Sequence, residues 1–212
     1  RSVDKEAYDL YMKGRFYLEQ FFSNEALDRS EFFFLRSIEK DPTWSAPYAG
    51  LAEVGLWQNQ MGFVPQSTVK LKIIEYVEKA LELYPLSSTA FLVNSMVVSS
   101  LKWNCEKSER QFKKALELNP NDAMAHVFFA HHLSCQRRTK EALAHGKKAI
   151  KLDPANPLIK GLFGAVLTFA GDYQSAIIQA EEALAIDPGN WFSHAVLEWS
   201  SYFNGDYERS YT

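Results

Sequence analysis

Five times this chain closes a short amphipathic phrase on proline. The copies are Ser37-Ile38-Glu39-Lys40-Asp41-Pro42, Ala80-Leu81-Glu82-Leu83-Tyr84-Pro85, Ala115-Leu116-Glu117-Leu118-Asn119-Pro120, Ala149-Ile150-Lys151-Leu152-Asp153-Pro154 and Ala183-Leu184-Ala185-Ile186-Asp187-Pro188. Pro85, Pro120, Pro154 and Pro188 stand 35, 34 and 34 residues apart; Pro42 precedes Pro85 by 43, a unit carrying an insertion. A fixed period of about 34 residues marks an array of helical hairpins. Such units bury their apolar faces only against their neighbours, so the product is an extended surface rather than a catalytic pocket.

Within a unit the pattern reads helix, turn, helix, stop. Proline disfavours helix at the residue before it and lacks the N–H that would continue the turn. Capping residues follow at once: Ser87-Ser88, Asn121-Asp122, and Asn156 ahead of Pro157. Gly171-Asp172-Tyr173 and Gly205-Asp206-Tyr207, again 34 apart, mark the turn inside the hairpin. Glycine supplies the left-handed helix end there, and aspartate caps the next helix. The units predicted are 5–43, 44–87, 88–121, 122–155 and 156–189, with a half unit at 190–212, all in one solenoid. Gly62 to Ser67 is the insertion of the second unit.

Composition narrows the partners. Apolar residues make up 47% of the 212 and aromatics 14%, enough for a packed array and too much for disorder. A net charge of −3 offers no basic footprint for nucleic acid. No apolar run reaches the ~18 residues needed to span a bilayer; Leu158 to Ala170 is interrupted by Lys160, Gly161 and Gly164. Residues 1–6 carry no apolar signal core. Two cysteines, Cys105 and Cys135, are no disulfide framework, and a reducing, cytoplasmic setting is expected. The chain lacks an initial Met and stops within a repeat, so it is expected to be a fragment of a longer protein.

The pattern resembles the tetratricopeptide repeat. Phe163-Gly164, Leu167, Gly171, Ala176, Ala180, Ala183 and Pro188 match its signature in the fifth unit, and Phe129-Ala130, Leu133, Ala142, Gly146, Ala149 and Pro154 in the fourth. Phe91, Val98, Phe112, Ala115 and Pro120, then Tyr48, Leu51-Ala52, Ala80 and Pro85, match in the third and second. Asn94-Ser95 and Lys160 depart from it. The resemblance implies an all-α, right-handed superhelical solenoid of about five and a half antiparallel helix pairs. Residues 7–15 (Ala7 to Arg15), 46–53 (Ala46 to Glu53) and Trp103 further resemble the repeat region of modular bacterial signalling proteins (transcriptional regulators, cyclases and kinases). That implies a sensory or regulatory segment acting on its own effector domain.

Candidate chemistry is sparse. His126, His131, His132, Cys135 and His145 fall in the fourth unit, and His131 with Cys135 has the i, i+4 spacing of a ligand pair. Structural zinc sites carry denser Cys/His spacing, so packing and rim roles are the stronger reading, and no metal or other cofactor is expected. Glu181-Glu182 and Asp187 read as a solvated face. Gly161 to Gly164 is no phosphate loop, since no strand precedes it and no Lys-Ser/Thr follows; these glycines serve helix contact. No enzyme is expected.

The resemblance also places the concave wall, about four, seven, eleven, fourteen and fifteen residues after each proline. The candidate partner-binding positions are Glu53, Leu56 and Trp57; Leu92 and Met96; Met124, Val127, His131 and Cys135; Phe169; and Phe192, Trp199 and Phe203. This wall lacks the Lys, Asn and Arg set with which chaperone-docking repeats of this kind clamp a terminal carboxylate. Small and apolar, it suits an amphipathic helix or extended apolar segment of a protein partner. Alternatively these positions pack against the next helix, above all Trp199, Tyr202 and Phe203, and an uncapped carboxy end could self-associate.

Overall fold

The computed structural model describes residues 3–208, which contain eleven α-helices and no strand. Contacts divide the chain at Leu118/Asn119 into two compact units. Unit 1 holds α1 (Lys5–Leu18), α2 (Asn24–Lys40), α3 (Ser45–Gln60), α4 (Gln66–Leu83), α5 (Ser88–Lys102) and α6 (Cys105–Leu118). Unit 2 holds α7 (Ala123–Cys135), α8 (Thr139–Leu152), α9 (Pro157–Ala170), α10 (Tyr173–Ile186) and α11 (Trp191–Phe203). In both, each hairpin's two helices pack most extensively on each other, the second also touches the next first helix, and successive first helices touch directly.

The local reasons are those the sequence announces. Ser87, Asp122, Asn156 and Asp172 each cap a helix by accepting a hydrogen bond from a first-turn amide. Gly171 and Gly205 sit at φ 81° and 86°, the left-handed conformation that glycine adopts freely. The third repeat's hairpin, α5 to α6 in unit 1, needs the same turn, and there the residue is Trp103, at φ 50° and 84% exposed. An aromatic side chain in that conformation is strained.

Close helix approach depends on missing side chains. Phe34 of α2 is fully buried between Gly14 of α1 and Gly50 of α3. A Cβ on either glycine would lie 2.6 Å from the ring. The buried serines Ser30 and Ser37 complete the seam, donating to the carbonyls of Gly14 (2.9 Å) and Ala7 (2.7 Å). Ser108 of α6 does the same toward Ser95 of α5, at 2.9 Å. Ser30 and Ser108 occupy the small-residue position that Ala142 and Ala176 fill later in the chain, and Ser37 the one that Ala149 and Ala183 fill; each hydroxyl is satisfied by a helix carbonyl.

Two outcomes follow for stability. Gly50→Ala, with the Phe34 ring unable to retreat toward Gly14, lowers unfolding free energy by about 1–3 kcal/mol; an unchanged urea midpoint would show that the ring has room. Trp103→Gly relieves the left-handed strain and raises stability by about 1 kcal/mol, read as a higher melting temperature. A lower one would mean the indole contributes more than its backbone costs.

Candidate functional site: the aromatic wall of unit 2

The sequence-derived wall positions divide by exposure. In unit 1 the residues are engaged within the protein. Glu53 accepts a 2.8 Å ion-paired hydrogen bond from Arg15, whose guanidinium is held even more firmly protonated by that carboxylate. Trp57 is buried and stacks on Phe21 at 4.1 Å between ring centroids. Leu56 is closed to solvent, and Leu92 and Met96 are buried.

Unit 2 differs. Val127 is closed to solvent, and Met124, His131 and Phe192 are half-buried. Cys135 is an exposed thiol, while Phe169, Trp199 and Phe203 stand 58%, 59% and 57% exposed. Phe169 and Phe203 are repeat-equivalent, 34 residues apart at the last turns of α9 and α11.

The helices under these rings are fixed to one another. Thr168 donates to the Gly164 carbonyl at 2.9 Å, so at the 2.7 Å contact with Ser200 it is the serine that donates. This bond lies one residue from Phe169 and one from Trp199. The α9 glycines admit α11: a Cβ on Gly164 would meet Val196 at 2.9 Å and one on Gly161 would meet the Ser193 hydroxyl at 2.7 Å. Around the wall, the His131 ring meets Phe169 edge-on at 6.2 Å, and Tyr173 stacks on Phe203 at 5.7 Å. Rings held on packed helices form an apolar surface.

No protein-family model matches the sequence, and no curated protein matches it. Solved structures do. A thermophilic tetratricopeptide-repeat protein of Thermus thermophilus, TTC0263, superposes with a TM-score of 0.72 at 17% identity over 92% of this chain and 99% of that one. YrrB, described as a tetratricopeptide-repeat protein with an unusual peptide-binding site, gives 0.51 at 21% identity over 81% and 84%. A monomeric mutant of IFIT1 with m7Gppp-AAAA gives 0.76 at 16% identity, covering 89% of this chain and 45% of its own. The fold is the tetratricopeptide-repeat fold.

Within that fold the histidines of the fourth repeat have a structural pairing. His126 of α7 and His145 of α8 face each other through their Nδ1 atoms at 2.7 Å, and His126 Nε2 lies 3.1 Å from the Pro120 carbonyl. A carbonyl only accepts, so Nε2 of His126 carries the proton, its Nδ1 accepts, and His145 Nδ1–H donates. Among the described residues no group of three or more His, Cys, Asp or Glu side chains could hold a metal ion. No helix among them is long and apolar enough to cross a membrane.

Sequence reading missed this pair, since it joined His131 with Cys135 by spacing. It also missed an asymmetry of charge. From Asn119 to Lys160 there are seven Lys/Arg and three Asp/Glu; from Gly161 to Glu208 there are seven Asp/Glu and no Lys or Arg. Counting charge by repeat instead of over the whole chain would have found it.

The pair sets a pH dependence. Burial, then His126 and Lys148, push His145 down to about 4, and burial lowers His126 as well. The unfolded chain binds these protons near the ordinary 6.5. Its stability contribution is therefore whole above that value and is lost as pH falls toward about 4. Unit 2 should lose stability across this window, and His145→Gln should flatten the slope in melting temperature; a slope identical to the parent's would show that other groups govern it.

Proposed function

We propose that this chain is a non-catalytic protein-interaction module whose inner wall in unit 2, built from His131, Cys135, Phe169, Trp199 and Phe203, seats a peptide or helix of a protein partner. One observation carries the reading: three large aromatic side chains, each more than half exposed, project from the ends of first helices that hydrogen bonds and glycine contacts hold in place. Aromatic residues dominate binding hot spots, and a fixed platform loses little entropy on binding. The peptide-binding description of YrrB supports the same use of the fold. Within unit 2, Val127 contributes through the core that shapes the helices, and Met124 and Phe192 stand at the wall's margin; Leu56, Trp57, Leu92 and Met96 belong to the interior of unit 1, where Glu53 pairs with Arg15.

Peptide-phage selection against the intact chain tests this. Clones enriched on the parent protein should lose at least about ten-fold in retention, about 1.4 kcal/mol, on the Phe169→Ala/Trp199→Ala/Phe203→Ala variant. Far-UV circular dichroism should stay the same, because the three side chains are largely in solvent. Clones that bind both proteins equally would place the partner surface elsewhere.

A further inference from the structure

We infer that the α9–α11 wall selects a cationic amphipathic segment, a helix with Lys or Arg beside an apolar face. The inference rests on the peptide-seating reading above and specifies the chemistry of its occupant. Lys160 and Arg209 bound a stretch of 48 residues without Lys or Arg, and seven acids lie within it. Glu182 is neutralised, because buried Lys160 pairs with it at 2.5 Å. Six acids remain besides it.

Those acids flank the aromatic side chains in sequence. Glu198 precedes Trp199 on α11; Asp172 lies three residues beyond Phe169, and Glu208 five beyond Phe203. All three carboxylates are exposed. The rings thus offer apolar area and π faces, and the acids around them supply a negative field. An anionic partner would be repelled by these carboxylates, while a neutral apolar segment would leave the rim unused. A Lys/Arg-bearing helix satisfies both features: its apolar stripe covers the rings, and its cations reach the acids or stack on exposed indole and phenyl faces.

Three fluorescein-labelled peptides and the intact chain provide the test by anisotropy. The first is an amphipathic Leu/Lys helix, the second keeps its apolar face with Glu for Lys, and the third keeps the lysines with Ser for Leu. The first should bind at least about ten-fold tighter than either other at low salt, and its lead over the second should shrink at high salt. Glu198→Lys/Glu208→Lys should reverse the preference between the first two, and Trp199→Ala/Phe203→Ala should weaken the first. Equal binding of the first two overturns the charge selection and leaves peptide seating intact. Equal binding of the first and third shows charge acting without the rings and overturns the assignment. Failure of every peptide, together with a phage selection that enriches nothing, removes the underlying reading. Light scattering that shows a dimer the first peptide does not dissociate would assign the wall to a second copy of the chain.

Discussion

Where Phe34 enters the space that side chains on Gly14 and Gly50 would occupy, three helices of two successive hairpins become a single packed object. The ring has no alternative site, because it is fully buried and bare helix backbone lies on both sides. Unit 2 repeats the device with different residues. A Cβ on Gly146 of α8 would collide with Phe163 of α9, and Gly161 and Gly164 open α9 to α11. Hairpins that met only through ordinary side chains would stand farther apart, and the exposed ends of their first helices would not share one fixed frame. Interiors pack at crystal-like density, so such notches determine spacing as well as stability.

Fixed spacing leaves a choice at each first helix: its inward residues either close on the neighbouring helix or stay open. In unit 1 they close. Trp57 finds Phe21, Glu53 finds Arg15, and Leu92 and Met96 are buried. In unit 2 the residues nearest the hairpin turns stay open, and there the chain has placed aromatic rings. Exposed rings on a rigid base are a poor choice for solubility, since contiguous apolar surface invites association. Their retention beside a run of acids gives the surface a charge-selective character that plain stickiness lacks.

The period, the proline stops, the glycine turns and the capping residues were all legible in the sequence, because each is a local backbone requirement tied to one residue type. Ser87, Asp122, Asn156 and Asp172 cap the helices they precede. Exposure was not legible. Trp57 and Phe169 occupy the same wall position in the repeat pattern, fifteen residues after the proline, yet one is buried and the other open, because that outcome depends on the size of neighbours far away in sequence. The His126–His145 pair was hidden for a related reason: 19 residues separate its members, and only hairpin closure brings the two rings together. Trp103 gave a partial signal, standing where the last two repeats carry Gly171 and Gly205, but its left-handed backbone, shared by Arg137 in the fourth repeat, had to be seen.

The histidine pair and the aromatic wall lie on the same first helix of the fourth repeat, and each limits the other. His126 near the start of α7 is locked to α8 and to the Pro120 carbonyl, whereas His131 one turn later turns to Phe169 of α9. A helix gripped on one side by a neutral hydrogen-bonded imidazole pair can present the following turn in a constant orientation. Acid would weaken that grip, because the two Nδ1 atoms cannot both carry protons at 2.7 Å. The base of the wall is therefore gripped most firmly at and above neutral pH, where both imidazoles are neutral.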